Sequence, residues 1–288
     1  TWIGISNIAP QGVVPDSVIY SFYIGAAILI LCVIYTTVKV KEMPPAEYAE
    51  YHGITEEEEK EKINMVKLLI KAPKAFWTVG LVQFFCWFAF MFMWTYTNGS
   101  VAANVFDAPT VETAVNGVSK VMLDTKSIQY QDAADWVGVL FAVQAIGSVL
   151  WAVCIPLFKD RKLIYSLSLV LGGLGFISTY FVHNQYVLFI SFLLIGCAWA
   201  AMLALPFTIL TNALSGGHMG TYLGLFNGTI CIPQIVAASL GGSILALFTP
   251  KGMLPPEINM LVMAGIMLII GAVCVYLIKE TKGEQTKA

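Results

Sequence analysis

Read as alternating apolar and polar positions, the chain resolves into seven long apolar stretches, at about 18–38, 77–97, 136–158, 163–182, 186–210, 221–248 and 258–278. A helix rises about 1.5 Å per residue, so about 20 residues cross the hydrocarbon core of a bilayer. Every stretch is long enough, and none contains Asp, Glu, Lys or Arg, in keeping with the cost of a charge in hydrocarbon. The pattern predicts an all-α membrane protein with seven transmembrane helices. Two of the intervening segments are long. In 39–76, Pro44, Pro45 and the Glu56–Glu59 run mark a shift to polar sequence, Thr55 and Glu58 have capping-box spacing, and Ile63, Val66 and Ile70 recur among Lys62, Lys67 and Lys71. That spacing predicts an amphipathic helix along the membrane surface. The other long segment, 98–135, reads as a loop, with the glycosylation pattern Asn98-Gly99-Ser100 at its start; three residues are a weak signal. Trp77, Trp94 and Trp136 fall near span ends and read as interfacial anchors.

Composition narrows the function. Of 288 residues, 58% are hydrophobic and 12% charged, and the mean hydropathy is +0.76. A soluble domain carries about 25% charged residues, which excludes an ordinary soluble enzyme. A net charge of -2 offers no basic field for nucleic acid. Segments between spans fall on alternate sides. One side holds seven Lys and Arg in 39–76, three in 159–162, none in 211–220 and three in 279–288; the other holds only Lys120, Lys126 and Lys251. The excess places the C-terminus in the cytoplasm and the N-terminal end outside, in the cell membrane. Cys32, Cys86, Cys154, Cys197, Cys231 and Cys274 all sit in apolar runs and read as packing residues, with no cofactor or metal implied. Thr1 follows no charged n-region, so no signal peptide is read, and the chain is expected to begin inside a longer protein.

Polar side chains within the spans follow a period of three. The first, fourth and seventh spans lack Asn and Gln in their apolar bodies. The second carries Gln83, the third Gln144, the fifth ends in Thr208, Thr211 and Asn212, and the sixth carries Asn227, Thr229 and Gln234. Side chains that need hydrogen bonds face protein or water rather than lipid, so spans one, four and seven are expected at the periphery and the other four around a wet path. Gln83, Trp87 and Trp94 share one helix face, and Trp87 and Trp199 lie at mid-membrane depth, either as packing or offering a flat apolar face to a ligand such as a sugar. Gly220, Gly224 and Gly228 form a smooth strip for a neighbouring helix. Pro233 should kink the sixth span by clashing with the Thr229 carbonyl, and Pro206 should break the fifth. Asn227 and Gln234, seven apart, would share a face there, either binding a ligand or bridging helices. Asp132 and Asp135 read as solvated charges.

Phe85-Cys86-Trp87-Phe88, Trp94-Thr95 with Asn98-Gly99, Gly196-Cys197-Ala198-Trp199-Ala200 with Pro206-Phe207, and Gly220 and Gly224 with Leu225-Phe226-Asn227 through Ile232-Pro233-Gln234 resemble the sucrose-type and glycoside-pentoside-hexuronide sugar:cation symporters of the major facilitator superfamily. The likeness covers about 60–278. It implies helices six to twelve: an outer segment and the last helix of the N-terminal half (1–38), the central cytoplasmic linker (39–76), the C-terminal six-helix bundle (77–278) and a cytoplasmic tail (279–288). The partners it implies are a sugar, a proton or sodium ion, the lipid bilayer and a missing N-terminal half that holds the coupling carboxylates. Asp160-Arg161 resembles a reduced form of the superfamily's gating motif, without its glycines, and reads equally well as a charged turn. Two rival classes find less in the sequence. A membrane enzyme would need a catalytic constellation at membrane depth, whereas His52, His183 and His218 are scattered in loops; a channel would need charged rings or a filter loop.

Overall fold

The computed structural model describes residues 14–41, 44, 47, 51, 65–115, 118–214 and 219–278. The chain divides into two compact units, Thr1–Glu61 and Lys62–Ala288. In the first, helix α1 (Asp16–Lys39) opens after Pro15, with Asp16 in its first turn and Lys39 in its last, signs that suit the helix dipole. It has no buried residue and is apolar on all sides, as a helix surrounded by hydrocarbon should be.

The second unit contains α2 (Met65–Ile70), α3 (Lys74–Asn104), strands β1 (Thr110–Val115) and β2 (Val118–Leu123), α4 (Ile128–Cys154), α5 (Arg161–Ser178), α6 (Leu188–Ala213), α7 (Met219–Phe226), α8 (Gly228–Phe248) and α9 (Ile258–Cys274). Helices α7 and α8 make up one span, so with α1 the described residues hold seven helices long and apolar enough to cross a membrane. Each coincides with a stretch read from the sequence. Of the amphipathic linker helix, only α2 is seen, tied to α7 by the Tyr222 hydroxyl donating to the Leu68 carbonyl at 3.2 Å; Thr55, Glu58 and Ile63 lie outside the described residues.

The 98–135 segment differs from expectation. Helix α3 runs on to Asn104, so Asn98, Gly99 and Ser100 are helical, and Gly99 and Ser100 are buried. A glycosylation acceptor belongs on an exposed loop, and that reading falls. Beyond it, β1 and β2 pair antiparallel with Thr110 opposite Leu123 and Val115 opposite Val118. Their Val and Thr content suits a strand.

The helices pack as an arc in the order α4, α6, α5, α9, α3, α8, with α3 also touching α6 and α4 across the middle. In the most apolar stretches, 61% of α3 and α6 is buried, against 17% of α4 and of the α7–α8 span, with α5 at 50% and α9 at 44%. Within this unit α5 and α9 form the middle of the arc, and α4 and α8 are its open ends. Helices in lipid gain little from apolar burial and associate through close packing, which small residues permit. A Cβ at Gly173 of α5 would stand 2.9 Å from the Gly265 carbonyl oxygen of α9, and one at Gly196 of α6 would stand 2.8 Å from the Ser148 nitrogen of α4. The glycines that bring helices together are thus in α5, α6 and α9. Among the described residues, no neighbouring helix comes within 4 Å of a Cβ built at Gly220, Gly224 or Gly228; Ile232 of the same span reaches Gly228.

Asp160 has a definite local role. Its Oδ1 accepts from the backbone N–H groups of Lys162 at 2.9 Å and Leu163 at 3.1 Å, capping α5, while Arg161 is exposed as the first helical residue. This is the structural half of the two readings of that pair. Asp160→Ala should lower stability by about 1 kcal/mol, measurable as a shift of the unfolding midpoint in detergent, and Asp160→Asn should recover most of it.

Candidate functional site

The residues singled out in the sequence divide into an internal group and a group on the open end of the arc. Internally, α3 and α6 bring Trp87 and Trp199 together edge-on, ring centroids 5.9 Å apart. Phe90 lies 4.9 Å from Trp199. Trp94, read from the sequence as an interfacial anchor, belongs to this cluster: it is 5.8 Å from Trp199 and 6.4 Å from Trp87. Helix α3 continues to Asn104, and Trp94 stands at the edge of the cluster, 44% exposed. The same-face spacing of Gln83, Trp87 and Trp94 was the signal for it. Trp136 stacks on Phe189 at 5.4 Å and donates to the Gln185 carbonyl.

Gln83, one turn before Trp87 in α3, is 1% exposed. Its Nε2 donates to the Met202 carbonyl of α6 at 2.8 Å, so half of the amide bridges two helices. Gln83 Oε1 and Trp87 Nε1 are buried with no hydrogen-bond partner among the described residues. One is an acceptor and the other a donor, on residues one turn apart in α3. A buried unpaired polar group costs about 1–3 kcal/mol, so a ligand or water that satisfies both gains that amount back. A hydroxyl, which donates and accepts at once, has the matching chemistry. Gln144 of α4 is also buried, and its backbone carbonyl faces Gly196 of α6 at a contact too close to admit a Cβ.

The second group lies on the α7–α8 span. The span divides at Asn227, with α7 ending at Phe226 and α8 beginning at Gly228, although Asn227 keeps helical angles and its N–H donates to the Leu223 carbonyl at 3.3 Å. Pro233 lies buried within α8, and Pro206 within α6, neither ending its helix. Asn227 is exposed and Gln234 half-buried; Asn227 keeps helical backbone angles and its carbonyl accepts from the Cys231 N–H at 3.1 Å, so the two stay seven positions apart on one helix. The structure does not join this pair to Gln83 by a hydrogen bond. Helix α8 meets α3 where a Cβ at Gly80 would stand 3.0 Å from Thr229 Cγ2, and again where Gly241 lies 2.5 Å, by the same measure, from the Tyr96 hydroxyl. A hollow of about 430 Å³ between α5, α8 and α9 is lined by Tyr180, Phe181, Phe248 and Met263, among others, and by none of the six proposed ligand residues. Its apolar lining suits lipid rather than a polar cargo.

A family model described as the Major Facilitator Superfamily matches residues 110–288. With that match over more than half its length, the chain belongs to the Major Facilitator Superfamily, a class of multi-pass membrane transporters. No curated protein matches it.

Proposed function

We propose that this chain is part of a secondary active transporter that carries a sugar, a disaccharide such as sucrose or maltose, in symport with a cation, a proton, by alternating access. The observation that carries this reading is the unpaired acceptor and donor, Gln83 Oε1 and Trp87 Nε1, on the helix whose Trp87 and Trp94 rings meet the Trp199 ring. Hydroxyls satisfy the polar pair, and the C–H face of a sugar ring suits the indoles. The exposed amide of Asn227 adds support, because an amide at membrane depth needs water or protein rather than lipid. In this reading α7 and α8 face an N-terminal half that completes the path, Gln144 and Gln234 contribute further polar contacts, and the division of the span at Asn227 with Pro206, Gly220, Gly224, Gly228 and Pro233 gives the moving helices their freedom. Asp160 and Arg161 stand at the turn that gates the opposite end. The carrier lies in the cell membrane with its C-terminus in the cytoplasm, as the Lys and Arg excess favours.

The test is uptake of labelled sucrose and maltose by vesicles containing the whole protein. Uptake driven by a proton gradient and abolished when a protonophore collapses it is expected. Uptake that follows sodium instead would replace the coupling ion, and transport of neither sugar would overturn the substrate assignment.

A further inference from the structure

The sequence places no carboxylate inside a span, yet one carboxyl is drawn into the helix packing from just outside. Glu257 precedes α9, on the turn Pro255-Pro256-Glu257, where its N–H donates to the Pro255 carbonyl at 2.9 Å and its carbonyl accepts from Met260 at 2.9 Å. Two prolines fix the backbone of this turn. Its side chain reaches α3 and lies over Gly99, its Oε2 occupying the space a Cβ would need. Residue 99 must therefore be glycine for the carboxyl to seat there. Tyr96, three residues earlier on α3, is buried and within electrostatic reach of the carboxyl, and its hydroxyl in turn lies against Gly241 of α8. Three helices thus meet around one acidic side chain.

Among the described residues, no charge that could hold Glu257 ionised lies in its surroundings. Tyr96 is the titratable group facing it from α3, and no Lys, Arg or His among the described residues forms an ion pair with it from α3, α8 or α9. Lys251, on the same connection, is exposed. His183, on the connection between α5 and α6, has its Nδ1 3.2 Å from the Asn104 carbonyl instead. The positive end of α9 favours the carboxylate, but desolvation prevails and pushes the carboxyl up from 4.5 to about 7.

We propose that Glu257 is a proton-binding site in this half of the carrier, which when protonated seats the Pro255–Glu257 turn on Gly99 of α3 and when ionised releases the turn to water. The seated form binds the proton more tightly than the released one. Its advantage is complete below about 4.5, declines as pH rises towards about 7, and is constant above that, a change of about 300-fold in the seated-to-released ratio. The site does not depend on which cargo is carried.

An infrared pH titration of the whole protein in lipid vesicles, without cargo, tests it through the C=O absorption of a protonated carboxyl. A component that disappears with a midpoint near 7 and is missing from Glu257→Gln is expected. In Gly99→Ala, where a methyl fills the seat, that midpoint should drop towards 4.5. A component that survives Glu257→Gln, a midpoint at the ordinary carboxyl value in the unaltered protein, or a midpoint unmoved by Gly99→Ala would each overturn the proposal.

Discussion

Gly196→Val is expected to destabilise the bundle by about 3 kcal/mol or more, the upper end of the overpacking range. Added atoms at this position meet main chain rather than a side-chain tip: the Gln144 carbonyl, the Ser148 nitrogen at 2.8 Å and the Gly147 carbonyl carbon at 3.0 Å. None of these can turn aside without moving α4 as a whole. Because α4 is an end of the arc and rests mainly on α6, separating the two should detach α4 and carry Gln144 away with it. Gly138→Ala provides the contrast, since nothing lies within 4 Å of a Cβ there. It should be neutral or stabilising by up to about 1 kcal/mol, because alanine favours a helix more than glycine does. Denaturation of the purified protein in mild detergent, followed by near-ultraviolet circular dichroism, distinguishes the two outcomes.

Gln83→Leu should have the opposite profile, with little change in stability and a large loss of binding. The variant gives up one hydrogen bond to the Met202 carbonyl but also removes the unpaired Oε1. Interhelical hydrogen bonds in membranes average about 0.6 kcal/mol, so the net stability change should stay within about 1 kcal/mol. Binding is another matter. A site built around a hydroxyl discriminates strongly when one partner is lost, and a disaccharide should bind at least about tenfold more weakly, a loss of about 1.4 kcal/mol. Gln83→Asn, which keeps an amide but cannot reach as far, should fall between. Equilibrium binding of labelled sucrose, measured beside an unfolding curve for each variant, separates a ligand contact from a purely structural bridge. A large stability loss with unchanged binding would make Gln83 only a bridge.

The seven spans were legible because hydrocarbon imposes one rule on every residue in them, and length with apolarity is enough to apply it. Which span lies where was not. The pairing of α5 with α9 runs through backbone approach at Gly173 and Gly265, and a glycine's partner is not written in its own segment. The Gly220, Gly224 and Gly228 strip shows the converse, with a regular spacing but no partner helix within 4 Å among the described residues. At the site, the side chains that meet were partly legible: Gln83, Trp87 and Trp94 share a face by helical spacing, whereas Trp199, on another span, could be matched to them only by depth. Glu257 was passed over since it stands outside every apolar stretch, and only the fold carries its side chain back against α3.

The most direct measurement uses a form of the whole protein that keeps Trp87, Trp94 and Trp199 while Trp2, Trp77, Trp136 and Trp151 are replaced by Phe. Its indole fluorescence is titrated with sucrose and maltose. A saturable change with at least one of these sugars, lost when Gln83→Leu is added, is expected if the α3–α6 cluster binds a polyhydroxylated cargo. No change with either sugar, or an identical change in the Gln83→Leu form, would contradict it.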